Sequence, residues 1–193
     1  MIKNVIFDLG NVLINFNPME YLHKKVSDKE KIQEIFEEIF LSEEWAMLDK
    51  GVITEEEAIE RICSRSNGND ELIRVVMDNW YEMLTPIEDI VETLKRLKDK
   101  GYKVYYLSNF HMLAFENVTN RHEFFKYFDG GVVSFKEKLL KPEKDIYNKL
   151  IERYKINPKE SVFIDDTEIN IEGAKKLGFN TIHFKDNIDL KDL

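Results

Sequence analysis

The chain opens with Lys3-Asn4-Val5-Ile6-Phe7-Asp8-Leu9-Gly10-Asn11-Val12-Leu13. The apolar run from Val5 to Phe7 is typical of a short buried strand, and Asp8 follows at its carboxyl end. In open α/β sheets, ligands bind beyond the carboxyl ends of the strands. Gly10 lets the backbone turn away and lets a ligand come close. Taken alone, the stretch favours a strand that ends in an Asx turn, so a functional interpretation depends on the rest of the chain.

Short apolar runs alternate with helical patterns in the second half of the chain. Further strands are predicted at 103–107, 130–134, 161–164 and 181–184, and helices at about 86–100, 112–127, 143–154 and 169–177. This alternation is typical of a parallel sheet with helices on both faces. We therefore expect an α/β fold.

Residues 16–85 interrupt this alternation directly after the first strand. Every pattern in the segment is helical, and its helix starts include Asn17-Pro18, Ser42 and a capping box from Thr54 to Glu57. An independent helical domain would need a linker, and the segment has no Pro/Gly/Ser-rich boundary. We therefore predict a core domain of residues 1–15 and 86–193, with residues 16–85 as a helical cap packed over the strand ends.

The composition limits the partners and the compartment. A chain of 193 residues fits one domain with an insertion, and its formal net charge of −9 argues against binding to nucleic acid or to anionic membrane surfaces. No apolar run approaches the length of about 18 residues that a membrane-spanning helix needs. Cys63 is the one cysteine and no signal-peptide pattern is present, so we expect a cytoplasmic protein. The oligomeric state stays open, with a monomer favoured.

Polar residues follow three of the predicted strands at the ends where ligands bind: Asp8, Ser108-Asn109 and Asp165-Asp166. Lys141-Pro142 precedes the helix before the last pair. Two carboxylate sites can hold Mg²⁺, while a hydroxyl, main-chain N–H groups and an ammonium can hold a phosphoryl group. A carboxylate beside the metal can attack that group and form an acyl phosphate. The set as a whole indicates metal-assisted phosphoryl transfer.

This ordered set of motifs resembles the haloacid dehalogenase (HAD) superfamily of hydrolases. The motifs that carry the resemblance are Phe7-Asp8-Leu9-Gly10-Asn11-Val12, Leu107-Ser108-Asn109, Lys141-Pro142 and Phe163-Ile164-Asp165-Asp166. The first motif and residues 165–174 are similar to the branch that includes bacterial glucose-1-phosphatase and the phosphatase domain of soluble epoxide hydrolase. The resemblance spans essentially the whole chain, with residues 16–85 matched only weakly. It implies a Rossmann-like sheet with a helical cap, and Mg²⁺-dependent hydrolysis of small phosphate monoesters, sugar phosphates such as glucose 1-phosphate first.

The resemblance also implies the members of a metal site. Asp8 would be both the nucleophile and a ligand of Mg²⁺. Asp166 would be the second carboxylate ligand, and the main-chain carbonyl of Gly10 would be a third ligand. Asp165 falls where many members have Gly, so it would be a further ligand or would hold Lys141.

The residues that the resemblance assigns to the substrate come from the second and third motifs. Ser108 and Asn109 would bind the phosphoryl oxygens. Lys141 would bridge the nucleophile and the phosphate, and would neutralise charge in the transition state.

Gly10 is the position at which the sequence departs from most phosphatases of the superfamily, which have a second Asp there. That Asp protonates the leaving oxygen and deprotonates the attacking water, and such help is worth about 10²- to 10⁴-fold. A metal-bound water or His111 could replace it, although an ordinary helix-start role is favoured for His111. The glucose-1-phosphatase-like branch shares the Asp-Leu-Gly-Asn pattern, so activity is still expected.

Two other functions stay open beside the phosphatase. A haloacid dehalogenase also lacks an acid at the position of Gly10, but it needs no metal and usually lacks a pair such as Asp165-Asp166. A non-catalytic member would bind a phosphorylated ligand without turnover. Gly10 favours that hypothesis, whereas the presence of Asp8 and Lys141 counts against it. The sequence therefore predicts a Mg²⁺-dependent phosphatase of a small phosphorylated metabolite.

Overall fold

The computed structural model describes residues 1–185 and has an α/β fold. Its sheet contains five parallel strands in the order β3-β2-β1-β4-β5. These strands are β1 Asn4–Phe7, β2 Lys103–Ser108, β3 Gly130–Val133, β4 Ser161–Asp165 and β5 Asn180–His183. The predicted parallel sheet is therefore confirmed, although residues 186–193 of the predicted core domain lie outside the described residues. Ser134, predicted to end the third strand, instead begins a helix.

The central strand β1 positions Asp8. Phe7 pairs with Tyr106 of β2 on one side and with Ile164 of β4 on the other. The Asp8 N–H continues this pairing and donates to the Ile164 carbonyl at 2.8 Å. The chain adds β2 and β3 on one side of β1 and then crosses over to add β4 and β5. Such a reversal creates a crevice at the carboxyl ends of the central strands, where α/β proteins bind ligands.

The helices divide into a set between β1 and β2 and a set that follows β2. The first set, here called the inserted helices, comprises α1 Pro18–Lys25, α2 Ile32–Phe40, α3 Glu43–Lys50, α4 Glu55–Arg65 and α5 Asp70–Asp78. The second comprises α6 Glu88–Asp99, α7 Met112–Arg121, α8 Ser134–Glu137, α9 Lys144–Tyr154 and α10 Glu168–Lys176. Short 3₁₀ turns lie at Lys29–Lys31, Trp80–Met83, Glu123–Tyr127 and Pro158–Glu160.

The predicted helix starts in the insertion are confirmed by their capping bonds. The Asn17 side chain accepts from the Glu20 N–H, and the Ser42 hydroxyl accepts from the Trp45 N–H. Thr54 forms both bonds of a capping box with the residue three positions later. Each bond satisfies a donor that the first helical turn leaves without a partner, which is why these short sequences determine where the helices begin.

The helix after β2 is shorter than its pattern predicts. It ends at Arg121 because His122 is extended (φ −117°, ψ 112°), and a 3₁₀ turn follows. The break places the rings of Phe125 and Phe128 against Tyr106 of β2, at centroid distances of 6.3 and 5.3 Å. Packing of aromatic rings on the sheet thus overrides the local preference for a continuous helix.

The inserted helices share a hydrophobic core with one face of the sheet. Phe7 and Leu13 belong to the same buried cluster as Ile35, Ile73 and Trp80. The other face packs against α9 and α10 in a second cluster. The division into a core and a cap stays a prediction.

The chain enters and leaves the inserted helices through two segments that lie side by side. The Asn15 N–H donates to the Thr85 carbonyl at 2.8 Å, and the Asn15 side chain donates to the Thr85 hydroxyl at 3.0 Å. The Ile87 N–H donates to the Leu13 carbonyl at 2.9 Å. These bonds hold the two segments, residues 13–15 and 85–87, together beside the end of β1, and they are called the crossings below. Among residues 1–185, none of the helices has the length and apolar character needed to span a membrane.

Candidate active site

The carboxylate of Asp8 lies at the end of β1, almost fully buried. Its Oδ1 accepts from the Leu9 N–H at 2.7 Å and lies 2.9 Å from Lys141 Nζ. Burial raises the pKa of Asp8; the Lys141 charge opposes this and the Asp165 charge adds to it, so that the pKa reaches about 7. Since Oδ1 is taken by these two donors, Oδ2 is the oxygen that remains for chemistry.

Lys141 is buried between two carboxylates. Its Nζ lies 2.9 Å from Asp8 and donates to Asp165 Oδ2 at 2.6 Å. Burial alone would lower the pKa of Lys141, but the two carboxylates outweigh this and raise it, so the ammonium stays charged. The arrangement delivers one fixed positive charge to the nucleophile.

Asn109 fixes the backbone of the lysine rather than its ammonium. The Lys141 N–H donates to Asn109 Oδ1 at 2.8 Å, and Asn109 Nδ2 donates to the Lys141 carbonyl at 3.2 Å. This reciprocal pair joins the loop after β2 to the loop before α9. The side-chain amide of Asn109 is thereby occupied, whereas Ser108 is buried beside Asp8 and its hydroxyl lowers the pKa of that carboxyl.

Asp165 uses its two oxygens within the protein. Oδ1 accepts from the Thr167 N–H at 2.8 Å and from Asn170 Nδ2 at 3.1 Å, while Oδ2 accepts from Lys141. The side chain is fully buried. Because both oxygens already accept hydrogen bonds within the protein, Asp165 is better suited to orienting Lys141 than to binding a metal.

Asp166 is the more open member of the pair. Its Oδ2 accepts a long bond of 3.3 Å from the side chain of Asn11, a residue held at φ 52° in the turn after β1. Carboxylate oxygens of Asp8, Asp165 and Asp166 all lie within 4.8 Å of one another. The three carboxylates together carry more negative charge than the single Lys141 ammonium can neutralise. Their oxygens are also the hard donors that Mg²⁺ prefers. The donor set therefore fits the predicted metal, with Asp8 and Asp166 as the residues that would hold it.

Gly10 borders the same space. Its φ lies outside the left-handed region, and a Cβ built on it would meet no atom within 4 Å. The backbone therefore does not require glycine here.

Sequence reasoning missed part of a group of side chains at the ends of β2 and β3, the same edge of the sheet as Asp8. His111, Trp45 and Asp49 approach one another there, with the His111 ring 4.2 Å from the Trp45 ring and its Nε2 3.5 Å from Asp49 Oδ1. His111 is one of the two replacements for the missing acid that the sequence offers. Asp49 gave no signal, because an acidic residue in a charged helix is usually a solvated side chain.

Comparison with known proteins identifies the family of the chain. A family profile for haloacid dehalogenase-like hydrolases matches residues 2–178. A sesquiterpene phosphatase of Aspergillus oryzae is 26% identical over 186 residues, covering 96% of this chain and 91% of the relative. A D-ribitol-5-phosphate phosphatase of Bacteroides thetaiotaomicron is 25% identical over 210 residues, covering 98% and 95%.

A solved structure shows the same architecture together with the predicted metal. It is an HAD family enzyme of Bacteroides thetaiotaomicron in complex with magnesium and inorganic phosphate, with a TM-score of 0.78 and 30% sequence identity, covering 100% of this chain and 98% of that one. The magnesium prediction agrees with this complex. The matched profile, the parallel sheet and the strand-end carboxylates lead to one conclusion: the chain belongs to the haloacid dehalogenase-like hydrolase family.

Proposed function

We propose that this protein is a Mg²⁺-dependent phosphatase that hydrolyses small phosphate monoesters through a phosphorylated Asp8. The observation that carries the proposal is the geometry of Asp8. One oxygen is fixed by the Leu9 N–H and Lys141, the other remains for attack, and Asp166 lies within metal-bridging distance. A pure binding site would not need a nucleophile held in this way.

The residues of the chain divide the reaction between them. Asp8 Oδ2 attacks the phosphorus, and the bond from phosphorus to the leaving oxygen breaks. Lys141, oriented by Asp165, faces the phosphoryl group with a fixed positive charge, and the Ser108 hydroxyl binds a phosphoryl oxygen. We assign the contact of Asn109 to its main-chain amide, because its side chain holds the Lys141 loop. Mg²⁺, held by Asp8, Asp166 and the Gly10 carbonyl, supplies charge neutralisation when bound.

The substrate is proposed to be a small phosphorylated metabolite, with sugar phosphates such as glucose 1-phosphate first. The relative that hydrolyses D-ribitol 5-phosphate supports a polyol or sugar phosphate, whereas the sesquiterpene phosphatase supports an apolar ester. Both relatives are named as phosphatases, so the reaction is better supported than the organic group. We further propose a monomeric, cytoplasmic enzyme in which residues 16–85 act as the cap.

A haloacid dehalogenase is the alternative that the same nucleophile allows. The site argues against it, because Asp165 and Asp166 add negative charge that an attack on carbon does not need. The two functions differ in metal dependence, which gives the test a clear readout.

The test measures hydrolysis of 4-nitrophenyl phosphate by the full chain with Mg²⁺ and with EDTA. Activity should disappear in EDTA and return with Mg²⁺. Asp8→Asn should retain less than about a thousandth of the activity, since the change removes the nucleophile. Asp145→Asn, an exposed residue in the first turn of α9, is the matched control and should retain full activity. Full turnover in EDTA, or chloride release from 2-chloropropionate without metal, would favour the dehalogenase instead.

A further inference from the structure

The end of α3 is fixed over the strand ends by a buried hydroxyl. Ser134, at the start of α8, is fully buried and donates to the main-chain carbonyl of Asp49. The same Oγ accepts from the Phe110 N–H at 2.9 Å, in the loop after β2. Asp49 is the second-last residue of α3. Its position is therefore set jointly by the ends of β2 and β3.

The Asp49 side chain is placed where it gains little stability. A carboxylate in the last turn of a helix meets the negative end of the helix dipole. Its neighbour His111, with Nε2 3.5 Å from Asp49 Oδ1, does not compensate, because burial lowers the pKa of His111 to about 3 and leaves the ring neutral. Because neither the helix dipole nor His111 stabilises the Asp49 carboxylate, its position indicates a functional role.

His111 itself is poorly suited to protonate a leaving group. The ring is packed between Trp45 and Trp80, with centroid distances of 4.2 and 5.1 Å, and within residues 1–185 neither nitrogen has a hydrogen-bond partner. Although it is the N-cap residue of α7, its side chain makes no capping bond. A neutral, enclosed imidazole suits a partner that holds Asp49 in place.

The Asp49 carboxyl, by contrast, is poised for proton transfer. It keeps 21% of its side-chain surface open to solvent. Burial of the remainder raises its pKa; the Lys141 charge opposes this and the Asp8 charge adds to it, which brings the pKa to about 7. The bonds through Ser134 place Asp49 against the loop that follows β2, the same loop that carries Ser108 and Asn109, and so at the edge of the sheet where the nucleophile lies. Gly10, two residues after the nucleophile, has no side chain, and a Cβ there would meet open space.

We propose that Asp49 is the general acid and general base of this enzyme, doing from the inserted helices what no side chain at Gly10 can do. In the first step Asp8 Oδ2 bonds to phosphorus, the bond to the leaving oxygen breaks, and that oxygen takes the proton of Asp49. In the second step Asp49 accepts a proton from water as the water oxygen bonds to phosphorus. The bond from phosphorus to Asp8 then breaks, and phosphate leaves. His111 positions Asp49. The proposal rests on the phosphatase function proposed above.

The test compares phosphate esters that differ in how much their leaving oxygen needs a proton. 4-Nitrophenyl, phenyl and benzyl phosphate have similar shapes and increasingly basic leaving groups. In Asp49→Asn, kcat/KM for benzyl phosphate should fall by about 10²- to 10⁴-fold, while that for 4-nitrophenyl phosphate should change little in its first step. A burst of 4-nitrophenol followed by slow turnover should mark the loss of base catalysis in the second step. Glu43→Gln, at the exposed start of α3, is the matched control and should leave the whole series unchanged.

A second variant keeps the test independent of folding. Gly10→Asp has room for its side chain, so Gly10→Asp combined with Asp49→Asn should recover benzyl phosphate turnover. His111→Leu, a positioning variant, should steepen the dependence on the leaving group while sparing the release of 4-nitrophenol. An equal loss for all three esters in Asp49→Asn, or no loss for benzyl phosphate, would overturn the role of Asp49. Loss of all turnover in Asp8→Asn would in either case leave the phosphatase function standing.

Discussion

Asp8 carries an electrostatic cost in the metal-free protein that can be measured. Its pKa is raised from 3.8 to about 7, first by burial, so the folded state binds the proton more tightly than the unfolded state. The stability linked to this proton is present below about pH 4 and is lost as the pH rises through 7. Asp8→Asn does not titrate and escapes that loss.

The difference in melting temperature between Asp8→Asn and wild type should therefore increase from about pH 5 to about pH 8 when EDTA is present. Asp49, whose pKa is raised in the same direction and partly by the Asp8 charge, should be raised less in the variant, so its contribution has the same sign as that of Asp8. Adding Mg²⁺ should stabilise wild type more than the variant, because the metal binds the ionised carboxylate. A difference that stays constant with pH would contradict the burial effect on Asp8.

The sequence left two roles open for Asp165, that of a metal ligand and that of a residue that holds Lys141, and a substitution can distinguish them. The structure commits both of its oxygens, one to Lys141 and the other to Thr167 and Asn170. Asp165→Asn should lower kcat and cost about 3 to 5 kcal/mol of stability, because it removes a partner of a buried ammonium. The Mg²⁺ concentration that gives half-maximal activity should stay close to that of wild type. A large increase in that concentration would instead identify Asp165 as a metal ligand.

At the scale of elements, the position of α3 determines where Asp49 lies. Gly51 ends this helix in the left-handed conformation (φ 67°), and a Cβ there would lie 2.6 Å from the Phe135 carbonyl oxygen of α8. Gly51→Ala should therefore push α3 away from α8 and lower both stability and turnover, with benzyl phosphate affected most. Thermal unfolding and the ester series measure the two effects.

Gly68 provides the matched control for this substitution. It has a similar φ of 82° in the loop between α4 and α5, but a Cβ there would meet no atom within 4 Å. Gly68→Ala should cost about 1 kcal/mol of stability for the backbone conformation alone and leave turnover unchanged. Equal effects of the two variants on turnover would show that contact between α3 and α8 is not what matters.

The sequence predicts elements well where the determining contacts are local. Ser42 and Thr54 start helices through bonds to residues three positions away, and the carboxyl ends of parallel strands bring Asp8 and Asp166 together by topology. The pairing of Asp49 with His111 could not be predicted in this way. It depends on α3 packing against α8, and no periodicity or spacing encodes which helix end reaches the sheet.

At the scale of the whole molecule, the inserted helices share a hydrophobic core with the sheet, and polar bonds join them to the rest of the chain at two further places. The crossings at 13–15 and 85–87 are bonded to each other, which makes them a natural fixed end. Among the described residues, a second contact includes two polar bonds, in which Ser134 donates to the Asp49 carbonyl and Lys138 donates to the Gly51 carbonyl. Motion of the inserted helices should break the second contact and keep the first.

Hydrogen exchange can locate that motion. Inorganic phosphate with Mg²⁺ should slow exchange at the end of α3, where the Gly51 N–H donates to the Leu48 carbonyl, and in α8, because a filled crevice favours the closed contact. Hinges are often loop residues at the ends of elements, which would place this change at the crossings themselves. The structure instead predicts little change there, because the Asn15–Thr85 bonds persist when the helices move. Asp8→Asn, which lacks one of the carboxylates that would hold the metal, should show weaker protection at the same concentrations of Mg²⁺ and phosphate. Uniform protection of all inserted helices and both crossings would mean that phosphate stabilises the whole fold, and absence of protection at α3 would mean that this contact does not open.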